Sequence, residues 1–260
     1  MVLQFIFLIA AGIVAGLMAT IAGLASIASY PALLMVGIPP VIANVTNTVS
    51  LIFTGVGAIP ASLKELHGQW HRALGYTILA VIGSVSGSAL LLVAPASTFE
   101  KIVPFFILVA GVMLLLSGRG KELKEEERLR RAEMHPTRHK ILTLASYLGI
   151  VLVGGYLGYF GAAGGVVLLA ILAVITRESF AKYNAVKNVM TFACNLCSSA
   201  YFIMTTTVAW HAVLPLGIGL LIGGFCGPKI VRHVNIKLLR ILIAIAAFLL
   251  AGDLFVKAYF

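Results

Sequence analysis

Five polar residues recur at helical spacing inside an apolar stretch of this chain. They are Asn184, Lys187, Asn188, Thr191 and Asn195. Intervals of three and four residues place side chains on one face of an α-helix, so these groups are predicted to share a face. Amide, hydroxyl and ammonium groups on a common face can bind a ligand, or they can form polar contacts between helices. The sequence leaves both interpretations open.

Lys187 is the ionisable member of this face. If the helix starts near Ala181, Lys187 lies roughly 9 Å inside the apolar segment. A charge at membrane depth costs at least about 2.5 kcal/mol unless water or a partner relieves it. No Asp or Glu on the neighbouring turns provides that partner. An anionic substrate could supply it, and snorkelling of the long side chain to the surface is the alternative.

An earlier apolar stretch opens with a similar set of polar residues. They are Asn44, Thr46, Asn47, Thr48 and Ser50. Asn44, Asn47 and Thr48 fall on one helical face, so they are predicted to act together. The predicted substrate-binding side chains of both stretches are Asn44, Asn47, Thr48, Asn184, Lys187 and Asn188.

Two runs of small residues, Ala22 to Ser26 and Gly161 to Gly165, could each break a helix. A break inside a membrane frees backbone donors and acceptors, which are tolerated only when they are buried in protein or line a cavity. Both runs are therefore candidate parts of the site, with close helix packing as the alternative. The candidate binding positions are Gly23, Ser26, Gly161, Gly164 and Gly165.

The composition identifies the medium in which these residues act. The 260 residues are 60% hydrophobic and 11% charged, with a mean hydropathy of +1.05. Soluble domains carry roughly 25% charged residues. Several apolar runs exceed the roughly 18 residues that mark a candidate membrane span. The chain is therefore predicted to be an all-α integral membrane protein with multiple spans, in contact with membrane lipids.

Several other classes of protein are excluded. The net charge is +10, but 8 of the 19 Lys and Arg residues lie between Arg119 and Lys140 beside five Glu, so no nucleic-acid partner is expected. The three cysteines have no zinc-like pairing with histidine, so neither a metal nor a disulfide framework is predicted. Hydrolase, metalloprotease and Walker motifs are missing. We therefore expect neither an enzyme nor a cofactor.

The sequence repeats itself at an offset of 140 residues. At this offset Asn44 meets Asn184, Trp70-His71 meets Trp210-His211, Gly83 meets Gly223 and Gly87 meets Gly227. Such internal repeats are common in transporters. The predicted organisation is a first transmembrane repeat over 1–117, a charged cytoplasmic linker over 118–140 and a second transmembrane repeat over 141–260.

The orientation of the repeats follows from the number of helices in each. The first apolar run, Gln4 to Gly37, would span about 51 Å as one helix against a hydrocarbon core of roughly 30 Å. Each repeat is therefore predicted to begin with a hairpin of one long and one short helix. Five segments per repeat leave only Lys101 and Lys257 outside, as the positive-inside rule requires, whereas four would leave seven basic residues there. An odd number of membrane segments in each repeat predicts that the two repeats are inverted and that both termini lie outside the cytoplasm.

The first repeat resembles a known family of membrane proteins. The run GIVAGLMATIAGLASIASYPALLMVGIPPVIANVTNTVSL is similar to the start of the TauE/SafE sulfite-exporter-like family. The shared features are a Gly-rich first helix, a Pro before a short apolar segment, Gly-Ile-Pro and a next helix that opens with small polar residues. The second half, after a charged linker, fits the same pattern. The family usually has a Gly-rich run after the first helix. In this chain Ala22 to Ser26 has larger side chains than that run, whereas Gly161 to Gly165 is closer to it.

The resemblance implies a transporter of the prokaryotic plasma (inner) membrane. Its expected substrate is a small sulfur-containing or organic anion, such as sulfite, thiosulfate, a sulfonate or sulfoacetate, and the expected direction is often export. Sulfonate oxygens are suitable acceptors for the Lys187 ammonium group, for the backbone N–H groups at broken helices, and for the side-chain amides of Asn44, Asn47, Asn184 and Asn188. Asp253 makes a proton a candidate coupling ion. The alternative is a non-transporting membrane scaffold, or the membrane subunit of a complex.

Overall fold

The computed structural model describes residues 2–117, 136–162, 164–176, 178–230 and 236–259. These residues form α-helices and short connections, without strands in the described ranges. The predicted all-α fold is therefore confirmed. Most of the predicted linker, residues 118–135, lies outside the described residues. Residues 136–140 already belong to the next helix, because Pro136 fits the first position of a helix, where no backbone N–H is needed.

The first half contains five long or medium helices and one short one. They are α1 (Val2–Ala22), α2 (Ser26–Met35), α3 (Pro40–Ala61), α4 (Leu63–Leu66), α5 (Trp70–Val93) and α6 (Ala96–Ser117). The second half repeats this order without a counterpart of α4 in its described residues. Its helices are α7 (Pro136–Tyr159), α8 (Gly164–Ile175), α9 (Phe180–Thr205), α10 (Trp210–Ile230) and α11 (Ile236–Tyr259).

Both halves begin with a long helix that breaks and continues as a short one, as predicted. The breaks fall at Gly23 and Gly161, whose φ angles are 72° and 73°. This left-handed conformation ends a helix and is readily adopted by glycine, which lacks a Cβ atom. The N–H of Gly23 still donates to the carbonyl of Ala19, at 2.8 Å, so the chain turns sharply without losing its last helical hydrogen bond.

Four described helices are long and apolar enough to cross a membrane. They are Val2–Ile21, Pro40–Ala61, Trp70–Val93 and Trp210–Pro228. Large apolar side chains such as Leu3 and Val93, both 81% exposed, point away from the protein, as lipid contact requires. With its 26 residues α9 is longer than these four, but it carries the polar face described above. The chain is thus a multi-pass membrane protein.

Glycines at corresponding positions of the two halves lie in corresponding helix contacts. α5 packs on α7, where a Cβ atom on Gly83 would overlap the carbonyl oxygen of Val151. α10 packs on α1, where a Cβ atom on Gly223 would overlap the carbonyl oxygen of Ile13. Small residues let membrane helices approach closely in this way. The offset of 140 residues therefore relates positions with the same role in packing.

Corresponding helices of the two halves also run in opposite directions. The Thr46 hydroxyl, near the start of α3, accepts a hydrogen bond from the N–H of Ala209, which lies beyond the end of α9. α3 and α9 are therefore antiparallel. Tyr259, at the end of α11, donates to the carbonyl of Lys101, near the start of α6, so this pair is antiparallel too. These directions agree with an inverted repeat, which stays a prediction.

Candidate functional site

The two helix breaks meet each other inside the protein. The backbone of Gly23 lies against the backbone of Gly165, so closely that a Cβ atom added to Gly165 would lie 2.5 Å from the Cα of Gly23. Real Cβ atoms do not approach another heavy atom at this distance. Both positions therefore require glycine, and the close-packing interpretation holds for these two residues. It does not exclude the site interpretation, because both also line a cavity.

This cavity lies between the two breaks and the antiparallel pair α3 and α9. The space open to the centres of water molecules is about 50 Å³, enough for a few waters or for one small anion of similar volume. Seven of the eleven residues predicted from the sequence line it. They are Gly23, Ser26, Thr48, Gly161, Gly165, Lys187 and Asn188.

Two of the four remaining residues hold the ends of the broken helices. The Asn44 Nδ2 donates to the carbonyl of Tyr159 in the last turn of α7, at 2.8 Å. The Asn184 Nδ2 donates to the carbonyl of Thr20 in the last turn of α1, at 2.9 Å. Carbonyls in the last turn of a helix have no partner within the helix. Each asparagine therefore satisfies the broken helix of the other half and does not line the cavity.

The other two residues are also turned toward protein groups. The Asn47 Nδ2 donates to the Ser26 hydroxyl at 3.1 Å, so Asn47 positions a residue that lines the cavity. Gly164 packs against Leu157, whose side chain a Cβ atom at this position would meet at 2.6 Å. For Gly164 the arrangement favours the packing interpretation over direct contact with a substrate.

Lys187 is the ionisable residue among the described residues that line this cavity. Its side chain is only 1% exposed, so it does not snorkel to the surface. The Nζ donates one hydrogen bond, to the carbonyl of Ala19 at 2.8 Å. At the 140-residue offset Lys187 corresponds to Asn47, so the two halves differ by one charge at this position. No ion pair of the described residues includes Lys187, and no carboxylate is among the described residues that line the cavity.

Two further residues that line the cavity carry polar atoms without a hydrogen-bond partner. The Asn188 Nδ2 is buried, with the residue 5% exposed, and has no hydrogen-bond partner in the described part of the chain. The Thr54 hydroxyl is in the same situation, with 8% exposure. Thr54 is not among the residues predicted from the sequence, although it lies six residues, nearly two turns, after Thr48. Buried polar groups without partners are rare in proteins, so these two indicate a place for a ligand.

Part of the cavity lining is apolar. It contains Leu51, Leu157, Phe160 and Phe192. Low-dielectric walls strengthen the interaction between Lys187 and any anion in the cavity, because water screens the two charges less. The described residues contain no cluster of His, Cys, Asp or Glu that could hold a metal ion.

The described acidic residues near membrane helices lie away from the cavity. Asp253 is exposed and pairs with Lys257 at 2.7 Å. Glu178, in the loop before α9, pairs with Lys182 at 2.9 Å and with Arg72 at 3.3 Å. Hydrogen bonds that Lys182 and Gln69 donate to Glu178 hold the pKa of its carboxyl group below the ordinary value. Glu178 therefore stays ionised at neutral pH and links the two halves at this surface.

Comparisons with known proteins agree with this arrangement. A family model described as "Sulfite exporter TauE/SafE" matches residues 8–254. A "Probable membrane transporter protein" of Haemophilus influenzae is 28% identical, over 94% of this chain and 91% of the relative. The "Probable membrane transporter protein YfcA" of Escherichia coli K12 is 24% identical, over 92% and 85%. No solved structure matches the chain. The chain is a membrane transporter-like protein that belongs to the TauE/SafE sulfite exporter family.

Proposed function

We propose that this protein is a secondary transporter that exports a small sulfur-containing or organic anion across the plasma (inner) membrane of a prokaryote. The class of candidate substrates comprises sulfite, thiosulfate, sulfonates and sulfoacetate. The description of the family, "Sulfite exporter TauE/SafE", supports both the class and the direction. The names of the relatives in Haemophilus influenzae and Escherichia coli support transport.

The burial of Lys187 without a carboxylate is the observation on which the proposal rests. An ammonium group in a low-dielectric cavity needs a counter-charge, and the described lining residues do not provide one. A substrate anion would supply it. The unpartnered Asn188 amide and Thr54 hydroxyl could then donate hydrogen bonds to the anion's oxygens.

Inverted repeats would give the site a way to open to either side of the membrane. In such transporters the substrate lies at the interface of the repeats, where broken helices meet, and one part rocks against the other. The meeting of Gly23 and Gly165 beside Lys187 fits this geometry. We propose that both termini lie outside and the linker lies in the cytoplasm, with a proton as the candidate coupling ion.

Solute flux into liposomes that contain this chain alone tests the proposal. The panel contains sulfite, thiosulfate, taurine and sulfoacetate, with acetate as a carboxylate control. We expect flux of at least one sulfur-containing anion well above that of protein-free liposomes, and a dependence on an imposed pH gradient if a proton is coupled. A scaffold, or a subunit that needs partners, would give no flux of any anion.

A further inference from the structure

We infer that the cavity selects an elongated monoanion, with one anionic headgroup near Lys187 and an uncharged polar group at its other end, and disfavours dianions of the same length. The inference rests on the proposed function, because it assumes that the cavity binds the transported anion. Within the candidate class it favours sulfonates with a single negative charge over the dianions thiosulfate and sulfoacetate.

The charge of the cavity is the first reason. Lys187 is the one ionisable side chain among the described residues that line it. The helix ends do not add a second positive charge. Each break places the negative C-terminal end of a long helix beside the positive N-terminal end of a short one, so their dipoles largely cancel. A dianion would therefore keep one negative charge uncompensated in a site with apolar walls.

The polar groups stand at two separate ends of the cavity. α3 and α9 are antiparallel, and Gly55 of α3 packs on Phe192 of α9 near the middle. Lys187 and Asn188 precede Phe192 along α9 and form the charged end. Asn195 follows Phe192 and belongs to the other end, which carries no ionisable group among its described residues.

Thr48 lies at this uncharged end as well. It precedes Gly55 along α3, and the antiparallel arrangement places it on the same side as Asn195. The Thr48 hydroxyl donates to the carbonyl of Asn44 at 3.0 Å, so its oxygen is left to accept a hydrogen bond. Asn195 adds an amide that can both donate and accept. A hydroxyl group on the substrate would match this pair, whereas a carboxylate would meet no positive charge.

The distance between the ends fits a short organic chain. Asn188 and Asn195 are seven residues apart, about 10 Å along the helix axis. Two hydrogen bonds of about 2.8 Å at the ends leave about 5 Å for the molecule itself. This length corresponds to two polar groups joined by a two-carbon chain. Phe192 and Leu51 would contact the carbons in between.

Binding to the purified full-length protein tests the inference with three sulfonates of similar length. Isethionate carries a hydroxyl at its far end, ethanesulfonate a methyl group and sulfoacetate a second negative charge. Calorimetric titrations at pH 7.5 and matched ionic strength should give isethionate a dissociation constant about tenfold lower than that of sulfoacetate. Ethanesulfonate should bind about threefold to tenfold more weakly than isethionate, because it leaves the far polar groups unpaired.

Substitutions at Asn195 provide the matched comparison. Asn195→Lys adds a positive charge at the far end and should shift the preference toward sulfoacetate by about tenfold. Asn195→Leu removes the amide and should bring isethionate and ethanesulfonate close together. This second variant keeps the test available if the lysine variant does not fold. Thermal unfolding of each variant checks its folding.

The outcomes separate the two proposals. Parental protein that binds sulfoacetate as tightly as isethionate, or more tightly, would overturn the monoanion inference and leave anion transport intact. Equal dissociation constants for isethionate and ethanesulfonate in both the parental protein and Asn195→Leu would overturn the two-ended site. Failure of every sulfonate and of sulfite to bind would contradict the proposed function itself.

Discussion

The side-chain amides of the asparagines around this cavity serve two different purposes. Asn188 lines the cavity with a free Nδ2, whereas Asn184 donates its Nδ2 to the carbonyl of Thr20. The two residues are one turn apart on the same helix. A substitution that removes the amide should therefore affect binding at Asn188 and folding at Asn184.

Leucine substitutions at these two positions test this division. Asn188→Leu should weaken binding of the transported anion about tenfold, because it removes a donor to a charged group, and should leave thermal stability unchanged. Asn184→Leu should lower the free energy of unfolding by about 1 to 3 kcal/mol, because the Thr20 carbonyl loses its partner. Titration calorimetry and thermal unfolding in detergent measure the two effects. A loss of stability confined to Asn188→Leu would contradict the assignment.

Spacing along the chain predicted the shared polar face but not what each side chain meets. The three-and-four pattern identified Asn184, Lys187 and Asn188 together, because helical geometry alone fixes a common face. The partners of Asn184 and Lys187 come from the other half of the chain, at sequence separations that helical periodicity does not predict. Thr54 was missed for a related reason. One threonine in an apolar helix is ordinary, and only the missing partner in the folded chain distinguishes it.

At the level of helices, the breaks are the features that the sequence predicts best. Excess length and small residues indicated both long-short hairpins, and Gly23 and Gly161 mark where they turn. The contact between Gly23 and Gly165 could not be predicted, because it depends on how the two halves approach. The short helix α4 was likewise not predicted, since its four residues are too few to show a periodic pattern.

Alanine substitutions distinguish the effect of the contact between Gly23 and Gly165 from the effect of backbone strain at a positive φ angle. Gly23 and Gly37 both have positive φ angles, 72° and 86°, but only Gly23 has atoms close to the position of a Cβ. Gly37→Ala should lower stability by about 1 kcal/mol and leave flux intact. Gly23→Ala should lower stability further and reduce flux strongly, because it pushes the two breaks apart. Thermal unfolding and liposome flux measure both, and equal effects of the two variants would refute the role of the contact.

For the molecule as a whole, the central issue is how its two halves are oriented in the membrane. Opposite helix directions within the pairs α3–α9 and α6–α11 support the inverted repeat. The distribution of basic residues supports an outward position for both termini. Together they predict that the α5–α6 loop faces outward and the α4–α5 loop faces the cytoplasm.

Single cysteines report this topology directly. In a background without Cys194, Cys197 and Cys226, a membrane-impermeant maleimide added to intact cells should label Ser97→Cys, in the first turn of α6 beside the α5–α6 loop. It should label His67→Cys, in the α4–α5 loop, only after the membrane is opened. Both positions are exposed, so burial does not limit the reaction. Labelling in the reverse order would invert the predicted orientation.

Flux through Lys187→Met tests the central claim, that a buried ammonium group binds the transported anion. Methionine keeps a similar side-chain length without the charge, so flux should fall more than about tenfold if the lost interaction exceeds about 1.4 kcal/mol. Lys187→Arg should keep partial flux, because it keeps the charge and changes its shape. Lys182→Met is the matched control, since Lys182 is 44% exposed and pairs with Glu178 at the surface. Parental flux in Lys187→Met, with loss of flux in Lys182→Met, would contradict the account.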